Sequence, residues 1–467
     1  MKVTDRLGIV VISIGLLIGA AIPLVAWAGN TKVYLFIPFV MISLLVAFLR
    51  PAWALWFIGV WIHFQHLLTH DLGLIPRAGT WLDEGILLLL LIRMIFVVIR
   101  RNKWFRTPVE PLFWAFLSLG IVSSLANRVQ PVHAVLGLRS LLQYIVFFYI
   151  VLNSGFKEID LKIFVQILFT IVLLQVPVAF AQFLRTRSAF EPDRVYGTLA
   201  LGWGNHLGLY LAAFVCLFLG IYRITKTRRY LIASLLSGFG MVLTSSRAAL
   251  WFLLPCLLFM FGRELLARPA LFARVISILV VIAVSIGVYY AEKPGGLEAG
   301  LQEIKPDQLF REQMDIYYSP GRIRYLIIGW ELLWTEAASP LIGVGPSRFS
   351  SGAGDYLRAP LLERVTYGAY STKIPSQIVA IGVEYGMLGL IIAVGMYFVL
   401  IVQNEWLFRS LSDPFWKGIA LGMRGLLILA LLGAWTENIW EVQPFAYIPW
   451  FFASATFLKN SFKERGH

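Results

Sequence analysis

The feature that most constrains this chain is the recurrence of apolar runs about twenty residues long. A helix needs about that length to cross a hydrocarbon core of about 30 Å. Fourteen such runs can be read, at 8–28, 33–49, 52–69, 84–100, 108–126, 139–154, 162–183, 203–222, 230–245, 247–265, 272–290, 376–402, 418–436 and 443–458. Composition points the same way. Of 467 residues, 59% are apolar or aromatic and only 14% are charged, against roughly 25% charged in an ordinary soluble domain. So few charges cannot clothe so much apolar surface, which excludes a soluble enzyme, a disordered chain and a secreted disulfide scaffold. The expected fold is an all-α polytopic membrane protein of about 12–14 transmembrane helices. No cleavable signal peptide is expected, because the apolar run after Met1–Arg6 is too long and lacks a small-residue cleavage site.

The formal net charge of +14 does not point to nucleic acid, because the basic residues gather at the ends of apolar runs, where they orient a membrane protein. With the N-terminus in the cytoplasm, 21 of the 40 Lys and Arg fall in inside connections, eight in short outside connections and nine in one long outside loop. Arg93 and Arg424 fall inside spans. Both termini are therefore expected inside. The long loop, residues 291–373, far exceeds ordinary connection lengths, and loops of that size are usually functional. Its helical-looking stretch Arg324–Glu336 and its aromatics Tyr317, Tyr318, Trp330 and Trp334 suit an interfacial cap. The chain divides into N-terminal spans (1–190), spans with arginine motifs (191–290), the external loop (291–373) and C-terminal spans (374–467).

Ionisable groups in or beside a bilayer are expensive and mark function by default. Arg247, in Leu243-Thr-Ser-Ser-Arg-Ala-Ala-Leu250, sits where two apolar runs meet, as a turn arginine snorkelling to headgroups or as a fixed cation for an anionic substrate. Arg194 stands in Asp193-Arg-Val-Tyr-Gly-Thr198, ahead of Gly204-Asn-His206, where Gly197 and Gly204 allow close backbone approach. Arg322 and Arg324, in Gly321-Arg-Ile-Arg324, follow Tyr317-Tyr-Ser-Pro320. Arginine's planar fork pairs bidentately with phosphate, so the three clusters suit a diphosphate, although exposed basic loops need no ligand. Among the acids, Glu384 lies in Gly382-Val-Glu-Tyr-Gly-Met-Leu-Gly389 within an apolar run, where a carboxylate needs a partner or a proton. Asp83, Glu84, Glu437 and Glu441 are read as solvated helix ends.

His63, His66 and His70 recur on one helix face, a spacing that could share a metal ion. Without a completing ligand beyond Asp71, they are expected to hydrogen-bond within the bundle, and no metal or other cofactor is expected. Cys216 and Cys256 lie in apolar runs and behave as small hydrophobes; no CxxC pair or Cys/His cluster exists. A P-loop, a dinucleotide-binding glycine fingerprint, a GxSxG elbow and an HExxH helix are all missing. Any chemistry must therefore run on an already activated substrate.

Four stretches, in order, resemble the superfamily of O-antigen ligases and Wzy-type polysaccharide polymerases of bacterial cell envelopes. They are Arg194-Val-Tyr-Gly-Thr with Asn205; Thr244-Ser-Ser-Arg247; Arg324 through Trp330 to Pro340-Leu-Ile-Gly-Val-Gly345; and Ala380-Ile-Gly-Val-Glu-Tyr-Gly-Met-Leu-Gly389. All fall within about 190–400, and each is short and degenerate alone. The resemblance implies a many-helix GT-C-type glycosyltransferase fold in the bacterial inner membrane, with the active site facing the periplasm or outside. It implies an undecaprenyl-diphosphate-linked glycan as donor and a growing glycan or lipid A–core as acceptor, with no nucleotide sugar or metal. Membrane lipids, a flippase and a chain-length regulator would be its partners.

On this reading Arg194, Arg247, Arg322 and Arg324 neutralise the diphosphate as the anomeric bond breaks. Arg247 and Arg324 act with Glu384 as catalytic residues, and a base must take the acceptor proton. Asn205, His206, Tyr317 and Glu437 are further candidates. One departure matters. Ligases of the family commonly place a histidine about nine residues before the glutamate position, and here that place falls near Pro375, in Ser371-Thr-Lys-Ile-Pro-Ser376. No histidine occurs in 207–466. This tilts the expectation towards a polymerase, with a ligase as the alternative. A lipid-linked glycan transporter fits less well, because such proteins show internal repeats and broken midplane helices and no repeat is found.

Overall fold

The computed structural model describes residues 49–76, 79, 81–186, 195–199, 204–244, 246–267, 322–350, 360–361 and 376–464. Every regular element among them is helical: α1 (Pro51–His66), which runs into a π-turn (Leu67–Asp71), α2 (Leu82–Arg101), α3 (Glu110–Ala126), α4 (Pro131–Asn153), α5 (Glu158–Thr186), α6 (Gly204–Thr225), α7 (Arg228–Leu243), α8 (Arg247–Ala267), α9 (Arg322–Thr335), α10 (Gln377–Glu384), α11 (Gly386–Ser410), α12 (Pro414–Thr436) and α13 (Tyr447–Glu464). Five of these, α4, α5, α6, α11 and α12, are long and apolar enough to cross a membrane. The protein is an all-α membrane protein. The other expected spans among the described residues are helical but shorter or more charged. The runs 8–28, 33–49 and 272–290 lie outside the described residues, apart from Leu49.

Local chemistry sets the helix starts. Proline, which has no N–H to leave unpaired in a first turn, opens α1, α4 and α12 and stands second in α3. The Asp413 carboxylate caps α12 by accepting the amide of Phe415 at 2.8 Å, and Ser376 caps α10 through the amide of Val379.

The most enclosed helix is α6, buried from Leu207 to Phe218, with α7, α8 and α12 packed around it. Glycines allow the closest of these contacts: a side chain at Gly220 would strike the backbone of Gly418 and Gly422, and one at Gly422 the backbone of Leu217. Small residues spaced four apart let helix backbones approach in this way where no hydrophobic drive separates helix from lipid. A second group, α13 against α4, α11 and α12, completes the bundle. At one end of it Glu158, Lys162, Asp413 and Lys459 form an ion-pair cluster, with Lys459 Nζ 2.7 Å and Lys162 Nζ 2.8 Å from Glu158. Arg424, a charge inside an expected span, is paired with Glu405 of α11 and stacks on Phe408 at 4.2 Å.

The run 376–402, expected as one span, is two helices. α10 ends at Glu384, and α11 begins at Gly386, whose φ of +69° suits glycine. The break is filled by the loop segment after α9, which lays its backbone across it. The helical stretch expected at Arg324–Glu336 is α9. It packs on α10 in a small apolar cluster of its own, in which Tyr325, Ile328, Leu332, Val344 and Phe349 meet Val379 and Val383.

Candidate functional site

The end of the bundle opposite the Glu158 cluster brings together, among the described residues, buried polar side chains that are scattered in sequence, among them Gln377, Glu384, Glu437 and Asn438. Three constructions build it.

The first joins Pro340–Gly345 to the α10–α11 break. The amides of Val344 and Gly345 donate to the carbonyls of Val383 and Glu384, both at 2.9 Å, and the amides of Met387 and Leu388 donate back to Pro340 and Leu341 at 3.1 and 3.2 Å. Helix ends leave carbonyls and amides unpaired, and here the loop segment satisfies both sets. Gly343 and Gly386 meet backbone to backbone, at φ of +75° and +69°. Asn127, just past α3, clamps the segment from the other side: its Nδ2 donates to Gly343 O at 2.8 Å and its Oδ1 accepts the amide of Ala338 at 2.9 Å. Glu384 is buried, and its Oε1 accepts the amides of Ser350 at 2.6 Å and Phe349 at 3.1 Å. The Tyr385 hydroxyl donates to Gly137 O of α4 at 3.0 Å.

The second fixes the stretch after Arg194. Gln182 of α5 accepts the amides of Tyr196 and Gly197 at 3.0 and 2.8 Å and donates to Gly197 O at 2.8 Å. Two turns earlier on the same face of α5, Gln175 accepts the amide of Thr198 at 2.9 Å and donates to its hydroxyl at 2.6 Å, while that hydroxyl donates to His63 O at 2.8 Å. His63 is buried, with Nδ1 2.6 Å from Gly59 O and Nε2 bonded to the Tyr210 hydroxyl. The expectation of histidines bonded within the bundle holds for His63. His66 lies 3.9 Å from Asp71, and the His70 side chain lies outside the described residues. Among the described residues no three His, Cys, Asp or Glu are placed to share a metal ion.

The third centres on Thr436-Glu-Asn-Ile-Trp-Glu441, which links α12 towards α13. His206, near the start of α6, places Nε2 3.3 Å from Asn438 Oδ1 and 3.8 Å from Glu437 Oε2. Two residues on, Gly208 packs against Thr244 and Ser246, so the start of α8 with Arg247 shares this end. Gln377 of α10 donates to Glu441 Oε1 at 2.7 Å, and the Tyr144 hydroxyl donates to Glu441 O at 2.6 Å.

The acids correct one expectation. Asp83 and Glu437 are buried, and Glu84 and Glu441 are half-buried; none is a solvated helix end. Asp83 Oδ2 accepts from Gln443 at 2.8 Å and Tyr447 at 3.5 Å, and Glu84 is ion-paired with Arg139, which stacks over Trp81. Capping by interior glutamine and tyrosine replaces water. Sequence reasoning passed over Gln175, Gln182, Gln377 and Asn127. Polar amides inside apolar runs, two of them seven residues apart on α5, were the available signal.

Of the candidate residues, Glu384, Asn205, His206, Glu437 and Arg247 come to this one end. Arg247 is exposed on the first turn of α8. Arg322 and Arg324 occupy the first turn of α9, their side chains outside the described residues, as are Arg194 and Tyr317. No protein-family profile matches the sequence, and no curated protein matches it.

Proposed function

We propose that this chain is a metal-independent membrane glycosyltransferase that polymerises undecaprenyl-diphosphate-linked oligosaccharide repeat units. It would work at the outer face of a bacterial inner membrane, on a GT-C-type bundle of 12–14 spans with both termini in the cytoplasm. The observation that carries this reading is convergence. Four sequence stretches spread over about 190–400 are linked at one end of the bundle: Gly208 packs on Thr244 and Ser246, residues 340–345 bond the α10–α11 break, and His206 and Gln377 reach Glu437–Glu441. Buried polar networks of this kind are functional candidates in a membrane protein.

In the mechanism, the donor diphosphate lies against Arg194, Arg247, Arg322 and Arg324, whose guanidinium groups stabilise negative charge as the anomeric C–O bond breaks. The segments that carry them are anchored: Val195–Thr198 by Gln175 and Gln182, the start of α8 by Gly208, and α9 by its apolar packing on α10. Anchoring matters because catalysis by fixed charges depends on their not having to reorganise during the reaction.

The test is incubation of purified protein with a polyprenyl-diphosphate oligosaccharide, alone and with a lipid A–core acceptor, followed by mass spectrometry. Multiples of the repeat formed without acceptor support polymerisation. Transfer only with acceptor makes the protein a ligase. Passage of the lipid across proteoliposomes without product makes it a transporter.

A further inference from the structure

Three carboxylates, Glu384, Glu437 and Glu441, lie at this end, and their surroundings differ. Glu384 is buried, with Oε1 held by two loop amides, the environment of a group that organises backbone. Glu437 is buried beside His206. Glu441 alone of the three is half-buried rather than buried. It is also positioned from two sides: Gln377 Nε2 holds its Oε1 at 2.7 Å, and the Tyr144 hydroxyl holds its backbone carbonyl at 2.6 Å. It stands near enough to Glu384 and Tyr385, from the α10–α11 break, and to Tyr144 of α4, to act on all three electrostatically. Glu441 thus lies in the α12–α13 connection, close to the helix break, partly exposed and with a fixed orientation. A general base needs access for the acceptor and a fixed orientation, since geometry within hydrogen-bond reach comes before proton affinity.

We infer that Glu441 is the catalytic base and Gln377 its positioning residue, an assignment that rests on the glycan-transfer reading above. As the acceptor hydroxyl oxygen bonds to the anomeric carbon of the donor sugar, its proton passes to the Glu441 carboxylate. The bond from that carbon to the diphosphate oxygen breaks, and its electron pair leaves with the polyprenyl diphosphate. Glu441 then releases the proton to water. Gln377, by holding Oε1, keeps the carboxylate pointed at the acceptor. This fills the role left open by the missing histidine near Pro375.

The experiment uses the full chain in nanodiscs with a polyprenyl-diphosphate oligosaccharide, measuring kcat, donor KM and the pH profile. For Glu441→Gln the expected result is a kcat lower by about 10²–10⁴-fold, the usual contribution of a positioned base, with donor KM within about threefold of wild type and the acidic limb of the profile lost. Gln377→Ala should lower kcat by about tenfold and leave donor KM alone, with Gln377→Glu failing to restore it, because a second carboxylate repels the first. If Glu441→Gln also loses donor binding, Glu441→Ala with added formate decides: recovery of turnover supports the base, and no recovery overturns it. Wild-type turnover and an unchanged pH profile in Glu441→Gln reject Glu441 while leaving glycan transfer standing. No product from the wild-type protein rejects the transfer reading itself.

Discussion

Glu384 Oε1 and the amide of Ser350 lie 2.6 Å apart, across 34 residues of chain, and both residues are buried. With the Phe349 amide at 3.1 Å on the same oxygen, this carboxylate closes the loop after Gly345 over the end of α10.

That relationship separates two substitutions. Glu384→Gln keeps a carbonyl oxygen for both amides, whereas Glu384→Ala leaves two buried N–H groups unpaired, each worth about 1–3 kcal/mol. The alanine variant should lower the unfolding midpoint clearly and the glutamine variant little, by thermal unfolding in detergent. Turnover should follow stability, with Glu384→Gln within about threefold of wild type. A large loss of turnover in a stable Glu384→Gln protein would return the base role to Glu384.

Gly343 and Gly386 supply the second prediction. Each has positive φ, and a β-carbon on either would strike the other segment's backbone. A side chain in the left-handed region costs about 1–2 kcal/mol before any clash. Gly343→Ala and Gly386→Ala should both detach the 340–345 segment from the α10–α11 break, and limited proteolysis should then cut between residues 338 and 350. Equal resistance in wild type and both variants would show that the segment is held without this approach.

Sequence periodicity made the helices legible because length and apolarity alone decide what can lie in lipid, and α5, α6 and α12 fall within a few residues of the expected 162–183, 203–222 and 418–436. The break at Tyr385 was hidden. Gly386 sits in a run apolar enough to read through, and the end of α10 is bonded by the backbone of Val344 and Gly345, remote in sequence. Asp83 and Glu437 were misplaced for a related reason. A carboxylate at a helix end reads as wet unless its partners are known, and Gln443, Tyr447 and His206 are remote in sequence. The motif stretches were visible as words; the bonds from His206 and Gln377 to Glu437–Glu441 were not.

The diphosphate clamp predicts that Arg247→Ala and Arg324→Ala abolish polymer formation while the protein stays in the membrane, with Lys at either position restoring only part of it because the bidentate fork is lost. Product analysis by mass spectrometry, alongside membrane abundance by blotting, checks this. Polymer of wild-type length from both alanine variants would sink the clamp. A chelator should leave turnover unchanged.

Packing of α6 on α12 gives a prediction independent of function. Gly422 lies against the backbone of Leu217 and Cys216, and Gly418 against Ile221. Gly422→Leu should force the two helices apart, a change of the overpacking kind that costs about 1–3 kcal/mol, whereas Gly395→Leu on α11, where the nearest side chain, Leu112, is in ordinary contact, should cost much less. Comparison of thermal midpoints in one detergent tests the pair; equal midpoints would show that the α6–α12 contact is not the tight one.

Gln182 offers the sharpest link between fold and site. Its side chain makes three hydrogen bonds to the backbone of Tyr196 and Gly197, so it sets where the chain next to Arg194 can go. Gln182→Leu has similar volume but no acceptor, leaving two amides unpaired at about 1 kcal/mol or more each. Gln182→Glu retains the acceptor for both amides, loses the donation to Gly197 O and sets a second oxygen against that carbonyl. Hydrogen exchange should therefore show the Tyr196 and Gly197 amides deprotected in the leucine variant and still protected in the glutamate one. Polymer yield should fall in the same order, with Gln182→Leu losing at least tenfold, because a guanidinium on a loosened segment no longer meets the diphosphate in a fixed geometry. Deprotected amides with undiminished yield would separate the anchored turn from catalysis, and would remove Arg194 from the residues that hold the donor.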